Sequence, residues 1–326
     1  MKVTSAVLIA TAAEASIAGA GLGLASVAGR WNGWLDVLAQ LAPAWLLLSA
    51  VGGLACVFGL EASWSKRILV TLAGVGVISS AWLVAPELAK AVGGHGERPI
   101  AGARPLKVLT FNTWSQNLAP DGTVRAIVGS GADVVALQET DGLGLAQRKV
   151  LQAAYPYWQT CRPACDLLMF SKRPWSDAGF RQASAPGGTL NIVWGQTTAP
   201  DGRVFTLATT HLAWPFPPAR QASERLALAA AAQTFDRSNL VLTGDFNLSP
   251  WSAALNRLDQ GLAPLTRRTH AIFSWPANIA FFDRPAPFPL IPIDQVYAGP
   301  AWRTAAVRRL PRLGSDHYGV LVTLQR

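Results

Sequence analysis

The stretch "LTGDFNLSPWS", residues 242–252, follows an apolar run that begins at Asn239 and ends on Asp245 and Asn247 with Phe246 between them. Residues two apart in an extended chain face the same side, so a carboxylate and a carboxamide are aimed at one point. Other apolar runs finish in the same way. "LTFN" ends on Asn112, "VALQE" on Glu139 and "LATTH" on His211. "IPIDQV" carries Asp294, and "GSDH" brings Asp316 and His317 just before the last apolar run. Each has an ordinary explanation when taken singly: an Asn capping a turn, an Asp after Gly, a structural His. Their joint placement at strand ends does not. The set suits phosphoester hydrolysis. A hard cation, Mg²⁺ or Mn²⁺, takes one or two carboxylates and keeps several waters, which Glu139 and Asp316 could supply. Asp245 could orient or deprotonate the attacking water. Asn247 and Asn112 can hydrogen-bond phosphate or metal-bound oxygens without adding negative charge. His211 and His317 could donate to phosphate oxygens, one of them oriented by Asp294.

Residues at strand ends need strands behind them. Short apolar runs bounded by turn residues predict strands at Leu106–Asn112, Asp133–Gln138, Leu167–Phe170 and Thr189–Gly195, then at Val204–Thr210, Asn239–Thr243, Ile293–Tyr297 and Val320–Leu324. Helices are predicted at Val124–Ser130, Leu143–Ala154, Ala219–Phe235 and Pro250–Leu258, the third opened by Pro217-Pro218. Strands in runs with helices interposed give two packed sheets flanked by helices.

With these motifs in order across residues 106–326, the chain resembles the endonuclease/exonuclease/phosphatase superfamily. That family includes pancreatic deoxyribonuclease, apurinic endonucleases, sphingomyelinases and inositol polyphosphate 5-phosphatases. The motifs that carry the resemblance are "LTFN", "LQET", "FSKRP", "THL", "GDFN", "IDQV" and "GSDH". It implies a four-layer α/β sandwich and divalent-metal phosphoesterase activity. It also implies Glu139 as principal metal ligand beside Asn112, Asp245 acting on the water, Asn247 and His211 on the phosphate, and Asp316-His317 as the closing motif. Which histidine Asp294 supports stays open. Gln295 stands where relatives often have histidine, which implies a changed substrate contact. Asp166 is the acidic residue near the strand before "SKRP" and is given only a weak role. The chain is also similar to a subset preceded by membrane spans and a "WLD…P" stretch, here Trp34-Leu-Asp36 to Pro43.

The N-terminal part is of another kind. Half of the 326 residues are hydrophobic and only 14% are charged. Ser5–Ala28, Leu41–Leu60 and Ile68–Ala85 each approach the roughly 20 apolar residues that cross a bilayer. Trp31, Trp34, Trp45, Trp64 and Trp82 sit near their ends, as an interfacial belt would. Glu14 is expected to face other helices or lie off-centre, and Gly19 and Gly23 could pack a neighbouring helix. The expected organisation is a membrane anchor of about three transmembrane helices over 1–90, a Gly/Pro-rich linker over 91–105 and a catalytic domain over 106–326. A cleaved signal peptide ending at Ser26-Val27-Ala28 is the alternative for the first span. Lys2 and Lys66-Arg67 place the inter-span loop in the cytoplasm and the catalytic domain outside it, at the inner (plasma) membrane.

The net charge of +9 lies entirely in residues 98–326, where 20 of 23 cations are Arg. Such a balance suits an anionic phosphoester, either nucleic acid or a lipid headgroup. It equally suits an Arg-rich composition with no ligand behind it. Cys161 and Cys165 could close a small disulfide outside the cytoplasm. The metal-ligand alternative lacks a further Cys or nearby His. No protein partner can be inferred. The competing functions are a catalytically inactive binding module on the same fold and a phosphomonoesterase.

Overall fold

A computed structural model describes residues 2–92, 96–98, 100–161, 165–185, 188–279 and 284–326. The chain forms two compact units. One comprises Met1–Ala89 with Ser249–Asn256, the other Lys90–Leu248 with Arg257–Arg326.

The first unit is helical: α1 Lys2–Ala28, α2 Gly33–Ala39, α3 Ala42–Gly59 and α4 Trp64–Val92. Three stretches, Ala10–Ala28, Ala42–Gly59 and Trp64–Val92, are long and apolar enough to cross a membrane. The third runs through Pro86 beyond its expected end, so the helix reaches into the predicted linker, part of which lies outside the described residues. Glu14 is exposed, near the start of its stretch rather than its middle. Gly19 meets Ser49 of α3, and Gly23 meets Ser79 and Ser80 of α4, too closely for a Cβ at either position. Small residues let helices approach in this way. The "WLD" stretch also has a structural task. Both oxygens of Asp36 accept backbone N–H groups, from Ala253 and Ala254, each at 2.8 Å. Gln40 holds Ser249 N at 2.7 Å through its side chain and the Trp251 indole at 3.1 Å through its carbonyl. The carboxylate thus satisfies two orphan donors at the first turn of a helix whose own cap, Ser252 Oγ, takes only the Leu255 N–H at 3.2 Å.

The second unit is built on two six-stranded mixed sheets. In the first, β1 Leu106–Asn112, β2 Val134–Gln138, β3 Tyr157–Thr160, β4 Leu168–Ser171, β13 Arg303–Arg309 and β14 Val320–Gln325 lie in the order β13-β14-β1-β2-β4-β3. The second contains β5 Asp177–Ala185, β6 Gly188–Thr198, β7 Val204–His211, β8 Leu240–Asp245, β9 Thr266–Arg267 and β12 Asp294–Ala298, in the order β5-β6-β7-β8-β12-β9. A short ribbon, β10 Asn278–Ile279 with β11 Arg284–Pro285, completes the strands. The helices are α5 Pro120–Gly129, α6 Leu145–Ala154, α7 Pro218–Ala232 and α8 Ala253–Gly261.

Strand alternation explains the layers. Val108, Val134 and Val322 of the first sheet pack with Leu207, Val241 and Val296 of the second. The opposite faces, Leu109, Phe111, Val135 and Leu321, pack on Val124 and Ile127 of α5 and Leu151 of α6. With α7 on β5 and β6 of the second sheet, the expected sandwich of two sheets flanked by helices is what forms.

Candidate active site

Sheet register assembles the centre. β7 runs parallel to β8 with His211 opposite Asp245, and β12 runs antiparallel to β8 with Asp294 opposite Asp245. Asp245 is therefore flanked on both sides by groups from neighbouring strands. In the other sheet β1 pairs with β2 so that Asn112 lies opposite Gln138, one residue before Glu139. Asn112 closes the gap: its Nδ2 donates to Glu139 Oε1 at 2.9 Å and to Asp245 Oδ2 at 3.0 Å. Its Oδ1 accepts the Trp114 N–H at 2.9 Å. Expected as a metal and phosphate contact, Asn112 here bridges two carboxylates as a donor.

The backbone is bent at the chemistry. Glu139 and Asn247 both have φ 49°, the left-handed region, which costs a non-glycine residue about 1–3 kcal/mol. Each is the turn that ends a strand and swings its side chain over the strand ends. Asn247 is locked there by its N–H on Asp245 Oδ1 (2.9 Å) and its Nδ2 on Leu212 O (2.9 Å). Gly244 is required because a Cβ would run into the Thr210 carbonyl of β7.

Two histidine–aspartate pairs converge on Asp245. His317 Nδ1 lies 2.8 Å from Asp294 Oδ2, and His211 Nδ1 lies 2.7 Å from Asp166 Oδ2. Both Nε2 atoms stand 3.6 Å from Asp245 Oδ2. Asp294 thus pairs with His317, and Asp166, given only a weak role from sequence, is the partner of His211. A carboxylate at Nδ1 fixes the tautomer and ring orientation.

Burial opposes charge on both imidazoles, yet the carboxylates prevail. Asp166, Asp245 and Glu139 hold the pKa of His211 up at about 9, and Asp294, Asp245 and Asp316 hold His317 up at about 10. Burial raises Asp245 to about 6 against the pull of His317. It raises Asp316 as well; at Asp166 burial also pushes upward, but the hydrogen bond and charge of His211, together with backbone N–H groups, prevail and lower it.

Sequence reasoning missed the supports of the closing motif. Ser315 Oγ donates to Asn112 O at 2.7 Å and accepts the His317 N–H at 3.0 Å. Asn278 Nδ2 donates to the carbonyls of Leu313 and Ser315, and the Trp275 indole donates to Asp316 Oδ2 at 3.2 Å. A Ser two residues before the His is the one signal that could have been read. Gln295 corrects an expectation. It is fully buried, accepts from Thr269 Oγ1 and donates to Pro292 O, each at 2.6 Å. Since Asp294 points to the site, its neighbour on the strand points away and cannot touch substrate. Cys161 and Cys165 are joined as a disulfide with Cα atoms 5.6 Å apart.

A family model described as "Endonuclease/Exonuclease/phosphatase family" matches residues 109–317. The chain belongs to the endonuclease/exonuclease/phosphatase family. Among solved structures it is similar to a family member from Beutenbergia cavernae at 23% identity and TM-score 0.53, over 68% of this chain and 72% of that one. A mannosyl-6-phosphatase from Bacteroides thetaiotaomicron matches at 16% and 0.52, over 67% and 99%. TDP2 from D. rerio, complexed with a single-strand DNA product, matches at 20% and 0.50, over 68% and 99%. At these identities the likeness shows the fold. No curated protein matches. Members of the family act on phosphoesters and typically use divalent metals.

The residues fit a hard cation. Five carboxylates (Glu139, Asp166, Asp245, Asp294 and Asp316) face two histidines. Among the described residues, Asp294 Oδ1 and Asp316 Oδ1 are buried without a hydrogen-bond partner, a costly state for a carboxylate oxygen. One oxygen or nitrogen each from Asp245, Asp294 and His317 also lies within 4.8 Å of the others. Two of these three, His317 and Asp294, are already bonded to each other, so Glu139 and Asp316 are the better candidate ligands.

Proposed function

We propose that this chain is a membrane-tethered, divalent-metal-dependent phosphodiesterase whose catalytic domain lies outside the cytoplasm. The observation that carries the reading is the convergence of both histidine–aspartate pairs on Asp245. Glu139 and Asp316 would hold Mg²⁺ or Mn²⁺, which when bound neutralises phosphate charge and supports the leaving oxygen. Asp245 orients the attacking water and takes its proton. His317, held by Asp294, and His211, held by Asp166, donate from Nε2 to phosphate oxygens as charge builds. Asn247 binds a phosphate oxygen, and Asn112 keeps Glu139 and Asp245 at a fixed separation. Neutral carboxamides and paired imidazoles suit a singly charged diester better than a dianionic monoester.

Steady-state kinetics of the full chain on matched diester and monoester substrates should give the higher kcat/KM on the diester. A higher value on the monoester would make the protein a phosphatase, and turnover of neither would leave a binding module. The substrate is an anionic phosphoester, nucleic acid or lipid headgroup, in keeping with the charge of residues 98–326.

Sidedness has its own test. The cations Lys2 and Lys66-Arg67 and the Cys161–Cys165 disulfide support an extracytoplasmic domain at the inner membrane. A reporter fused after Arg326 should behave as exported, and the two thiols should resist alkylation until reduced. A cytoplasmic reporter signal would overturn the topology.

A further inference from the structure

Beside His211 lies a cavity of about 400 Å³ whose walls include Asp166, Asn191, His211, Trp214, Phe216 and Arg220, within the range of small-molecule sites. Two of its aromatics are largely exposed, Trp214 at 64% and Phe216 at 63%, although they belong to the loop that directly follows His211. That loop is held firmly. Glu224 of α7 accepts the Ala213 N–H at 2.6 Å, and Gln221 of α7 donates to the Ala213 carbonyl at 2.8 Å. Both side chains are buried. The Trp214 ring stands edge-on to Trp275 at 6.2 Å, and Trp275 in turn donates to Asp316. A buried polar clamp thus holds two large aromatic faces exposed at the edge of the catalytic centre, which solvation alone disfavours.

The charges of the cavity are matched within its walls: Asp166 pairs with His211, and Arg220 Nε with Glu224 at 3.0 Å. A second phosphate therefore has no unbalanced cation to meet. An acyl chain would strip water from Asn191, Arg220 and Asp166 without replacing its hydrogen bonds. A flat ring with apolar faces and a hydrogen-bonding edge fits both kinds of wall.

We propose that this cavity is a ring-binding subsite, in which Trp214 and Phe216 stack the neutral ring, nucleobase or sugar, carried by one ester arm of the phosphate substrate. The inference rests on the phosphoesterase reading and deepens it.

Binding tests it apart from turnover. The full chain in detergent, with Mg²⁺ and separately with chelator, is titrated calorimetrically with adenosine 5′-monophosphate, glucose 6-phosphate and butyl phosphate. At least one ring phosphate should bind more tightly than butyl phosphate, and the tighter of the two identifies the ring. Trp214→Ala should weaken the ring phosphate by about 5- to 150-fold, the range that aromatic stacking supplies, and leave butyl phosphate unchanged. Trp214→Phe should restore most of the loss. Butyl phosphate binding as tightly as both ring phosphates, a uniform loss across all three in Trp214→Ala, or no binding of any would overturn the subsite. Failure of the hydrolase reading would appear instead as absent turnover with the ring preference intact.

Discussion

Glu139→Gln is expected to abolish hydrolysis, by on the order of 10³-fold or more, while the fold persists. The side chain of Glu139 is 26% exposed at the mouth of the site. Its Oε1 accepts from Asn112 at 2.9 Å and its Oε2 accepts the Ser115 N–H at 3.2 Å. Glutamine matches its shape, so the left-handed turn and the packing around it are kept. What changes is charge and donor count. A carboxamide is a weak ligand for a hard cation, and its NH2 group would confront a donor in either orientation, the NH2 of Asn112 or the N–H of Ser115. The two defects act on one centre, so a partial loss is not expected. Chelation of the wild type should have the same effect, with Mg²⁺ or Mn²⁺ restoring activity. The variant's thermal midpoint should stay within a few degrees of wild type, about what a surface change of 1 kcal/mol or less produces. Activity persisting in chelator, or in the variant, would remove the metal mechanism.

The line-up of Asn112, Glu139, His211, Asp245 and Asp294 was legible in the sequence because each lies at an end of a buried strand with a strong apolar pattern, the first four at its close and Asp294 at its start. Apart from the short β10–β11 ribbon, the strands that sequence reading left out have a common position. β3 and β13 are the edges of the first sheet, and β5 and β9 the edges of the second. An edge strand has one paired neighbour and more water, so its sequence carries less apolar alternation. In "RTAAVRR" of β13, four of seven residues are exposed. The role of Asp166 was faint for a different reason. It precedes β4 at no diagnostic spacing, and the approach of the two sheets brings it to His211. The same holds for Asn278 and Trp275, whose partners are at least 35 residues away in sequence. The substrate contact expected of Gln295 came from the histidine that relatives often have there, whereas strand alternation sends the neighbour of Asp294 to the opposite face.

Asp294→Asn should lower kcat by about 10²- to 10⁴-fold with KM nearly unchanged, the scale of a lost proton donor. Asp294 is fully buried, and Oδ2 meets His317 Nδ1 at 2.8 Å. The isosteric amide keeps the packing but presents either an NH2 group to Nδ1, which forces Nδ1 to be unprotonated and the ring neutral, or a neutral oxygen, which no longer supports the imidazolium. In both cases the imidazolium is less well supported, so the Nε2–H that faces Asp245 at 3.6 Å loses the positive charge that makes it a strong donor. If Asp294 acts through His317, the two residues form one unit and their losses cannot add. His317→Ala alone should therefore be about as slow as the Asp294→Asn, His317→Ala double variant. Asp166→Asn supplies the internal comparison. Asp166 is 32% exposed at its side chain, so water can substitute for part of the lost contact, and its effect on kcat should be smaller than that of Asp294→Asn. Additive losses at Asp294 and His317 would mean that the two act independently and that the 2.8 Å contact is not the route by which Asp294 serves the reaction.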